Sequence, residues 1–299
     1  KVLLRDQGVV SPLLNTLSLF AVLSFLATPA GVWCILFAVN TCAAFTPVDF
    51  VIRAPLQAFL IASVTTSVLS VSTFVPFAKY HDGLYKSSPG LRNQPRAKTH
   101  DTGPFMARSE VQLSVLCLCI AAFVSAGVVI GKMTRGWGLM YTDVNERGWP
   151  YLFVSVVVYF LWIDLWAYIG HRALHVPFLY KTVHKWHHVY KQPTAFSGLG
   201  LHPIDMLIIQ GGVYVALYVI PMHVAVIAVN LLYVHYHNVI DHSGVYSESP
   251  LPWQPSSLYH DDHHKLFHVN YGQTLTIWDR MGRTFYTPQK KYGERSFSY

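Results

Sequence analysis

Long apolar runs constrain this chain more than any other feature, because they exceed what the core of a soluble domain needs. Hydrophobic residues make up 52% of the 299 residues and charged residues only 12%, whereas soluble domains carry about 25% charged residues. A helix needs roughly 20 apolar residues to cross a bilayer. Residues 57–80, 111–131 and 150–170 each meet this requirement, and each is predicted to be a membrane-spanning helix.

Two further apolar stretches are too long for one simple crossing. Residues 12–45 contain the breaker Thr28-Pro29-Ala30-Gly31, which predicts one crossing with a kinked or interfacial extension, or alternatively two short crossings. Residues 204–240 break at Pro221, which predicts a short helical hairpin that either crosses twice or dips in and returns. The predicted fold class is therefore an all-α integral membrane protein with about four transmembrane helices plus this hairpin.

The distribution of lysine and arginine predicts the orientation. If the spans alternate and the first region crosses once, the loops 46–56 and 132–149 lie on the same side of the membrane. These loops contain only four of the 22 lysine and arginine residues, and the other 18 lie on the opposite side. The positive-inside rule places the basic side in the cytosol. The N-terminus shows no signal-peptide pattern. The expected regions are 1–149, transmembrane with a cytosolic connector at 80–110, and 150–299, with the last span, the hairpin at 204–241 and a cytosolic helical cap.

Nine histidines recur in four tight clusters that fall in or beside this cytosolic cap. They are His171 and His175, then His184, His187 and His188, then His242, and finally His260, His263 and His264. Positions i, i+3 and i+4 share one face of a helix, so each HxxHH triplet is expected to aim three imidazoles at one point. Nine imidazoles exceed what one metal can hold, so we predict a di-metal site. Nitrogen-rich coordination favours iron, zinc or copper over magnesium or calcium.

Asp164 lies inside the span 150–170, two helical turns before His171. An ionisable side chain in a span is a candidate for function because its burial there is costly. We predict that its carboxylate accepts the far N–H of a ligating histidine and so fixes the direction of that ring. A hydrogen bond to a neighbouring aromatic residue such as Tyr168 is the alternative.

Asn238 and His202 are further candidate site residues. Asn238 precedes His242 by one helical turn and can hold a metal-bound water, while His202 is either a tenth metal ligand or a structural residue at a helix entrance. Surface or packing roles are expected for the remaining histidines, of which His81 and His100 have no neighbour at ligand spacing. These remaining histidines are His81, His100, His223, His235, His237 and His268.

The histidine clusters occur together with the segments Leu-His-Pro-Ile-Asp (201–205), Asn-Val-Ile-Asp-His-Ser-Gly (238–244), Asn-Tyr-Gly (270–272) and Trp-Asp-Arg (278–280). In this combination residues 150–285 resemble the fatty acid hydroxylase/sterol desaturase superfamily, and most closely its sterol C5-desaturase-like branch. The resemblance implies a membrane-bound, non-haem di-iron oxygenase that uses O2 and two electrons. It implies that the nine clustered histidines bind two iron ions, for which zinc can substitute in purified protein, and that Asn238 holds a metal-bound water.

The resemblance also implies a sterol-like lipid substrate that enters from the bilayer and is desaturated or hydroxylated. An endoplasmic reticulum enzyme with a cytosolic active site is expected. The chain has no His-Pro-Gly-Gly haem motif, so we expect no bound haem or flavin and an external electron donor such as cytochrome b5 with its reductase. Tyr246 departs from the His-x-x-x-His that fatty acid 2-hydroxylases have in the third histidine region.

Several other functions are compatible with parts of the pattern. A fatty-acyl or alkyl-lipid hydroxylase, or a terpenoid or polyketide tailoring oxidase, would have the same fold and metals, because substrate choice depends on the cavity. A metal transporter or sensor is disfavoured, since transporters place ligands near the bilayer midplane. A haem-binding electron carrier would need only paired axial histidines. Nucleic-acid binding is disfavoured because neither a basic stripe nor a fold motif supports it.

Overall fold

A computed structural model describes residues 48–93, 110–248 and 253–287. The predicted crossing within residues 12–45 and His100 lie outside these ranges. The described helices are α1 (Val48–Arg53), α2 (Pro55–Ser87), α3 (Glu110–Arg135), α4 (Gly148–Leu174), α5 (Pro177–Leu179), α6 (Lys185–His188), α7 (Pro203–Val219), α8 (Val224–His242), α9 (Leu258–Leu266) and α10 (Ile277–Gly282). A π-helical turn, Tyr180–His184, joins α5 to α6.

The prediction of an all-α membrane protein is confirmed. Four of the described helices, namely α2, α3, α4 and α8, are long and apolar enough to cross a membrane. The first three contain the three predicted spans and extend beyond them at both ends. Large apolar side chains on α2, such as Leu60, Val64 and Val68, are exposed. Side chains of this kind are stable on the outside of a helix when it faces hydrocarbon instead of water.

The predicted hairpin consists of α7 and α8, and it breaks at Pro221 as expected. α7 is shorter than the four long helices. One feature departs from a purely helical fold. Met140–Tyr141 (β1) forms a two-residue parallel pairing with Met222–His223 (β2) at the tip of the hairpin. Backbone groups exposed by the break thereby gain hydrogen-bond partners, which is the usual fate of buried polar backbone.

α4 packs directly on α7, and this contact organises the second half of the chain. The indole N–H of Trp162 donates to the carbonyl oxygen of Gly212 at 2.9 Å, and that of Trp166 donates to the carbonyl oxygen of Ile208 at 2.9 Å. An apolar cluster that includes the fully buried Tyr159 continues this contact toward the hairpin tip. The two indole hydrogen bonds fix how α7 lies along α4.

α3 holds the loop that leads into α7. Glu110 accepts hydrogen bonds from the hydroxyls of Thr194 and Ser197. One turn further along, the hydroxyl of Ser114 donates to the carbonyl oxygen of Phe196 at 2.7 Å. The thiol of Cys117 lies 3.3 Å from the carbonyl oxygen of Leu201. A polar row on an otherwise apolar helix therefore anchors the 194–201 loop to the N-terminal half of the chain.

One end of the helix bundle collects the polar segments. Arg92, just after α2, pairs with Val245, just after α8, and the backbone N–H of Asn93 donates to the carbonyl oxygen of Gly244 at 2.8 Å. The 194–201 loop meets the start of α3 at the same end, as described above. The alternation of the predicted spans agrees with this arrangement. The division of the chain into regions at residue 150 stays a prediction.

Replacing Gly212 by alanine is expected to destabilise the fold. A Cβ at this position would lie 2.5 Å from a ring carbon of Trp166, and overpacking of this kind costs about 1–3 kcal/mol. Thermal unfolding in detergent should therefore shift to lower temperature. The matched control is Gly83→Ala, because no heavy atom lies within 4 Å of the added Cβ there. A Gly212→Ala protein as stable as the wild type would contradict the tight α4–α7 contact.

Candidate metal centre

All nine predicted histidines meet at the polar end of the bundle. His171 and His175 come from the last turn of α4 and its C-cap, and His242 ends α8. The two HxxHH triplets lie on the π-helical turn with α6 and on α9. Single π-helical turns occur often at functional sites. Every one of the nine rings is buried.

The nine rings form two groups, and within each group the candidate ligand atoms lie within 4.8 Å of one another. The first group contains His171, His175, His184, His188 and His263. The second group contains His187, His242, His260 and His264. Two compact sets of four or five imidazoles suit two metal ions better than one.

Each HxxHH triplet contributes to both groups, which corrects the expectation that one triplet aims at one point. The first triplet gives its outer histidines to the first group and its middle one, His187, to the second. The second triplet does the reverse, and His263 joins the first group. Viewed down a helix, residue i+4 is rotated by about 40° from residue i, whereas residue i+3 is rotated by about 60° in the opposite direction. This divergence lets a single turn of helix serve two neighbouring centres.

Backbone carbonyls determine which nitrogen carries the proton on three of the rings. The Nδ1–H of His171 donates to the carbonyl oxygen of Tyr271 at 2.8 Å, that of His263 to Val269 at 2.7 Å, and that of His242 to Asn238 at 2.8 Å. A carbonyl oxygen can only accept, so the proton must be on Nδ1. The Nε2 atom of each ring is then a free lone pair.

His184 is oriented by a carboxylate. Its Nδ1 atom lies 2.6 Å from Oδ2 of Asp205, which is fully buried at the start of α7. A carboxylate that accepts the far N–H of a ligand raises the basicity of the ring and fixes its direction. The sequence pattern places Asp205 at the hairpin entrance but indicates no role for it.

The Nε2 atoms in each group face one another at short range. Nε2 of His188 lies 3.1 Å from Nε2 of both His184 and His263, and Nε2 of His242 lies 2.9 Å from that of His260. Among the described residues, the buried Nε2 atoms of His171 and His175 have no hydrogen-bond partner. Buried lone pairs without donors are costly. A cation at the centre of each group would satisfy them, so these residues fit a pair of bound metal ions.

Burial keeps these rings uncharged. It lowers the pKa of His187, His188 and His263 well below the usual value, and neighbouring histidines lower it further. Only a neutral imidazole has a lone pair to give to a metal. These three rings are therefore in the ligand form near neutral pH without having to release a proton.

The structure corrects the predicted partner of Asp164. Its carboxylate accepts no hydrogen bond from the histidine rings. Instead it accepts from the backbone N–H of Thr274 at 3.0 Å, from the hydroxyl of the same residue, and from the indole N–H of Trp278 at 2.8 Å. Asp164 thus anchors the segment that carries the Tyr271 carbonyl. The contact with a histidine ring that was predicted for Asp164 is made by Asp205 instead.

Asn238 lies beside the second group. Its side chain closely approaches Gly198, where an added Cβ would be 2.6 Å from the amide nitrogen. It also lines a small cavity with His242 and His260. The position suits a residue that holds water next to a metal, and this role stays a prediction.

His202 lies outside both groups. Its Nδ1 accepts a hydrogen bond from the backbone N–H of Ile204 at 3.1 Å, and its ring meets Trp186 edge-on at 4.6 Å between centroids. The histidine therefore caps the N-terminus of α7. Its metal ligation stays a prediction, but the described contacts are those of a capping residue.

The weaker histidine candidates also lie outside the two groups, apart from His100, which is not described. His223 donates to the carbonyl oxygen of Thr142 at 2.9 Å, and Nδ1 of His235 lies 2.8 Å from the carbonyl oxygen of Leu231. His237 is paired with Asp241 at 2.8 Å. His81 packs against Phe77 and Tyr80, and His268 is exposed.

Asp279 is an important residue to which the sequence analysis gave no role. It is fully buried and accepts from the backbone N–H groups of Tyr271 and Gly272 at 2.9 and 2.6 Å. The hydroxyls of Tyr259 and Thr284 bond to the same carboxylate. Asp279 therefore shapes the loop whose carbonyl orients His171. Its position in the Trp-Asp-Arg motif is the feature of the sequence that could have marked Asp279 as a site residue.

Comparisons with known proteins agree with this geometry. The fatty acid hydroxylase family model matches residues 156–284, which include every residue of both histidine groups. Lathosterol oxidase of Rattus norvegicus is 28% identical over 259 residues, covering 85% of this chain and 82% of the relative. The human lathosterol oxidase is 27% identical over 261 residues, with the same coverage. The Delta(7)-sterol 5(6)-desaturase of Leptosphaeria maculans is 29% identical over 206 residues, or 68% of this chain and 55% of the relative.

These matches show that the chain is similar to proteins of the fatty acid hydroxylase family. The names of the relatives agree with the predicted sterol C5-desaturase-like branch. The predicted activity, oxidation of a lipid C–H bond by a membrane oxidoreductase, agrees with the same names. No solved structure is significantly similar to the chain.

Replacing Asp205 by asparagine is expected to weaken metal binding while leaving the shape of the site nearly unchanged. Loss of a carboxylate behind a ligating histidine lowers metal affinity or activity about 10–100-fold. Competition with a chelator, followed by elemental analysis, measures the change. Asp143→Asn at the opposite end of the bundle is the matched control. Equal chelator resistance in Asp205→Asn and the wild type would show that the His184–Asp205 contact does not support metal binding.

Replacing His202 by alanine is expected to preserve the metal content. The variant loses an N-cap, which costs about 0.5–2 kcal/mol, so a small drop in the unfolding temperature should accompany full metal loading. Elemental analysis and thermal unfolding on the same sample give both values. A metal content below that of the wild type would instead identify His202 as a tenth ligand.

Proposed function

We propose that the chain is a non-haem di-iron oxygenase that desaturates a sterol-like lipid with O2 and two external electrons. The observation that carries the proposal is the pair of buried histidine groups with their inward-facing lone pairs. Imidazole nitrogens bind iron well and add no negative charge. Zinc would fit the same ligands but has no redox chemistry, so it could occupy the site in purified protein without supporting turnover. Bound iron would supply the oxidising power for attack on an unactivated C–H bond.

The residues of the chain have separate tasks in this proposal. The carbonyl oxygens of Tyr271 and Val269 hold protons on Nδ1 of His171 and His263, so that Nε2 can face the metal. Asp205 does the same for His184. Asn238 would hold a water beside the second group. Burial of the nine histidine rings and Asp205 excludes bulk water, which protects a strongly oxidising site from side reactions.

A sterol-like substrate is the class best supported by the relatives. Their names describe oxidation of lathosterol and introduction of the 5(6) double bond into Delta(7)-sterols. We therefore propose a Delta(7)-sterol as substrate and a carbon–carbon double bond as product. The site lies at the end of apolar helices, so a lipid can reach it sideways from the bilayer. A hydroxylated product would need the same hydrogen abstraction and is distinguished by mass.

The endoplasmic reticulum is the proposed location, with the histidine groups on the cytosolic face. The end of the bundle that holds them is also the end to which the charge distribution assigns 18 of the 22 basic residues. A cytosolic site gives access to O2 and to a soluble electron carrier. We propose cytochrome b5 with its reductase as that source of electrons.

Expression in cells that lack a sterol C5-desaturase should test the reaction. Lipid mass spectrometry is expected to show a sterol product two mass units below the accumulated precursor, and formation of the product should require O2. His263→Ala is the matched inactive variant, because it removes one ring from the first group. A gain of sixteen mass units would assign hydroxylation. Sterol profiles identical to those of His263→Ala would exclude a sterol substrate.

Cysteine labelling should test the proposed orientation. In a protein without its native cysteines, Lys191→Cys should react with an impermeant thiol reagent only from the cytosol. Glu146→Cys, which lies beyond the opposite ends of α3 and α4, should react only from the lumen. Both positions are exposed, so a lack of reaction reports sidedness and not burial. Labelling of both cysteines from one side would contradict the topology.

A further inference from the structure

Phe267 has an unusual backbone conformation next to the metal centre. It follows α9 with φ of 67°, a region that bulky L-residues rarely adopt. Such strain persists only where the surrounding structure enforces it, and it occurs often at functional sites. Glycine or asparagine would normally end the helix here at lower cost. An aromatic residue at this position therefore indicates that the contacts of its ring hold the strained conformation.

The Phe267 ring connects the first histidine group to the protein surface. Its centroid lies 5.0 Å from the ring of His188 and 6.3 Å from that of Tyr180. Nζ of Lys191 lies 6.0 Å from the same ring centroid. Phe267 is only partly buried, whereas His188 is buried. A single aromatic side chain thus spans the distance from an exposed cation to a metal-centre histidine.

The two segments that carry Phe267 and its contacts expose many basic side chains. In residues 171–191 and 253–287 every basic side chain other than histidine is exposed, namely Arg172, Lys181, Lys185, Lys191, Lys265, Arg280 and Arg283. In the same two segments Asp261 and Asp279 are buried, and Asp262 is partly buried. The charge that this surface presents to solvent is therefore mostly positive. Surfaces of one sign attract partners of the opposite sign and accelerate their association.

The reaction itself requires such a partner, and this step rests on the proposed function. Reduction of O2 to two water molecules takes four electrons. The two C–H bonds that become a double bond provide two electrons and two protons. The other two electrons come from a donor, and the other two protons come from solvent. A one-electron carrier must therefore meet the enzyme twice in each turnover.

We propose that Phe267 and the basic residues around it form the docking surface for an acidic one-electron carrier. Lys191, beside the ring, and Lys265, two residues before it, attract the carrier. The Phe267 ring then brings its redox group within reach of His188. Each encounter oxidises the carrier by one electron, and the acceptor of that electron would be the metal held by the first histidine group. The strained conformation of Phe267 is explained because it holds the ring between the surface and His188.

Anionic lipid headgroups are a different possible occupant of a basic surface near a membrane. The position of Phe267 favours the carrier, because a lipid would gain nothing from an aromatic contact with a metal-centre histidine. The two occupants make different predictions for a protein held in uncharged lipid. There, a surface that binds only lipid headgroups would no longer affect binding of the carrier.

The test uses the metal-loaded protein in nanodiscs of phosphatidylcholine, with the soluble haem domain of cytochrome b5 as an acidic carrier. Lys191→Glu tests attraction, and Arg147→Glu, at the opposite end of α4, is its matched control. Phe267→Leu tests the ring, and Phe267→Tyr retains it. Phe285→Leu is the matched aromatic control, because Phe285 also lies under a cation, Arg280 at 4.1 Å, but contacts Tyr259.

Three quantities are measured: the Kd of the carrier at low and high salt, the rate at which reduced carrier transfers electrons without O2, and product formation after chemical reduction with dithionite. Lys191→Glu should raise Kd by about threefold to tenfold at low salt, and less at high salt. Phe267→Leu should slow electron transfer several-fold with unchanged Kd, and Phe267→Tyr should restore the rate. Both controls should match the wild type.

Product formation after reduction with dithionite separates this inference from the proposed function. If all variants form product equally with dithionite and only the steps with the carrier change, the docking surface is supported. If Lys191→Glu binds the carrier as tightly as the wild type in uncharged nanodiscs, or if Phe267→Leu and Phe285→Leu transfer electrons equally fast, the docking surface is wrong while the oxygenase function stands. No product from dithionite-reduced wild-type protein would contradict the function itself.

Discussion

Mutual repulsion among buried imidazole lone pairs is the constraint on which this structure depends. Carbonyl oxygens and one carboxylate hold the outer nitrogens of four of the nine rings, so the inner nitrogens of these rings face their neighbours without protons to share. Such a core is unfavourable without a cation, since buried acceptors that lack donors cost about 1–3 kcal/mol each. With a metal ion in each group, the same lone pairs become ligands. The fold then gains the free energy of metal binding, because binding and folding are coupled in such sites.

The membrane helices keep the histidine groups in register. α4 and α8 each bring a histidine to the polar end, while α7 brings Asp205 to the same place. The indole hydrogen bonds of Trp162 and Trp166 fix α7 against α4. Polar side chains of α3 hold the loop that precedes α7. Packing within the bilayer region therefore determines which rings meet above it, and small shifts between helices would separate the ligands.

Much of the fold could be predicted from the sequence, because each span must satisfy its backbone internally and so appears as a long apolar run. Pro221 marked the hairpin break for the same local reason. The histidines were recognisable because their spacing is a property of one helix. The partner of Asp164 was not predictable, since Thr274 and Trp278 approach it only after the chain has folded back. Asp279 was missed for the same reason, as its partners lie in loops without periodicity.

The exchange of middle histidines between the two groups limits how a site of this kind can evolve. A tandem duplication of a one-metal motif would leave each copy with its own three rings. Here the first triplet gives two rings to the first group and His187 to the second. The second triplet gives two rings to the second group and His263 to the first. Neither triplet, together with the histidines next to it in the chain, contains a complete set for one centre. A chain with only one triplet would therefore lack ligands of both groups, so neither centre can be completed without the triplet that serves the other.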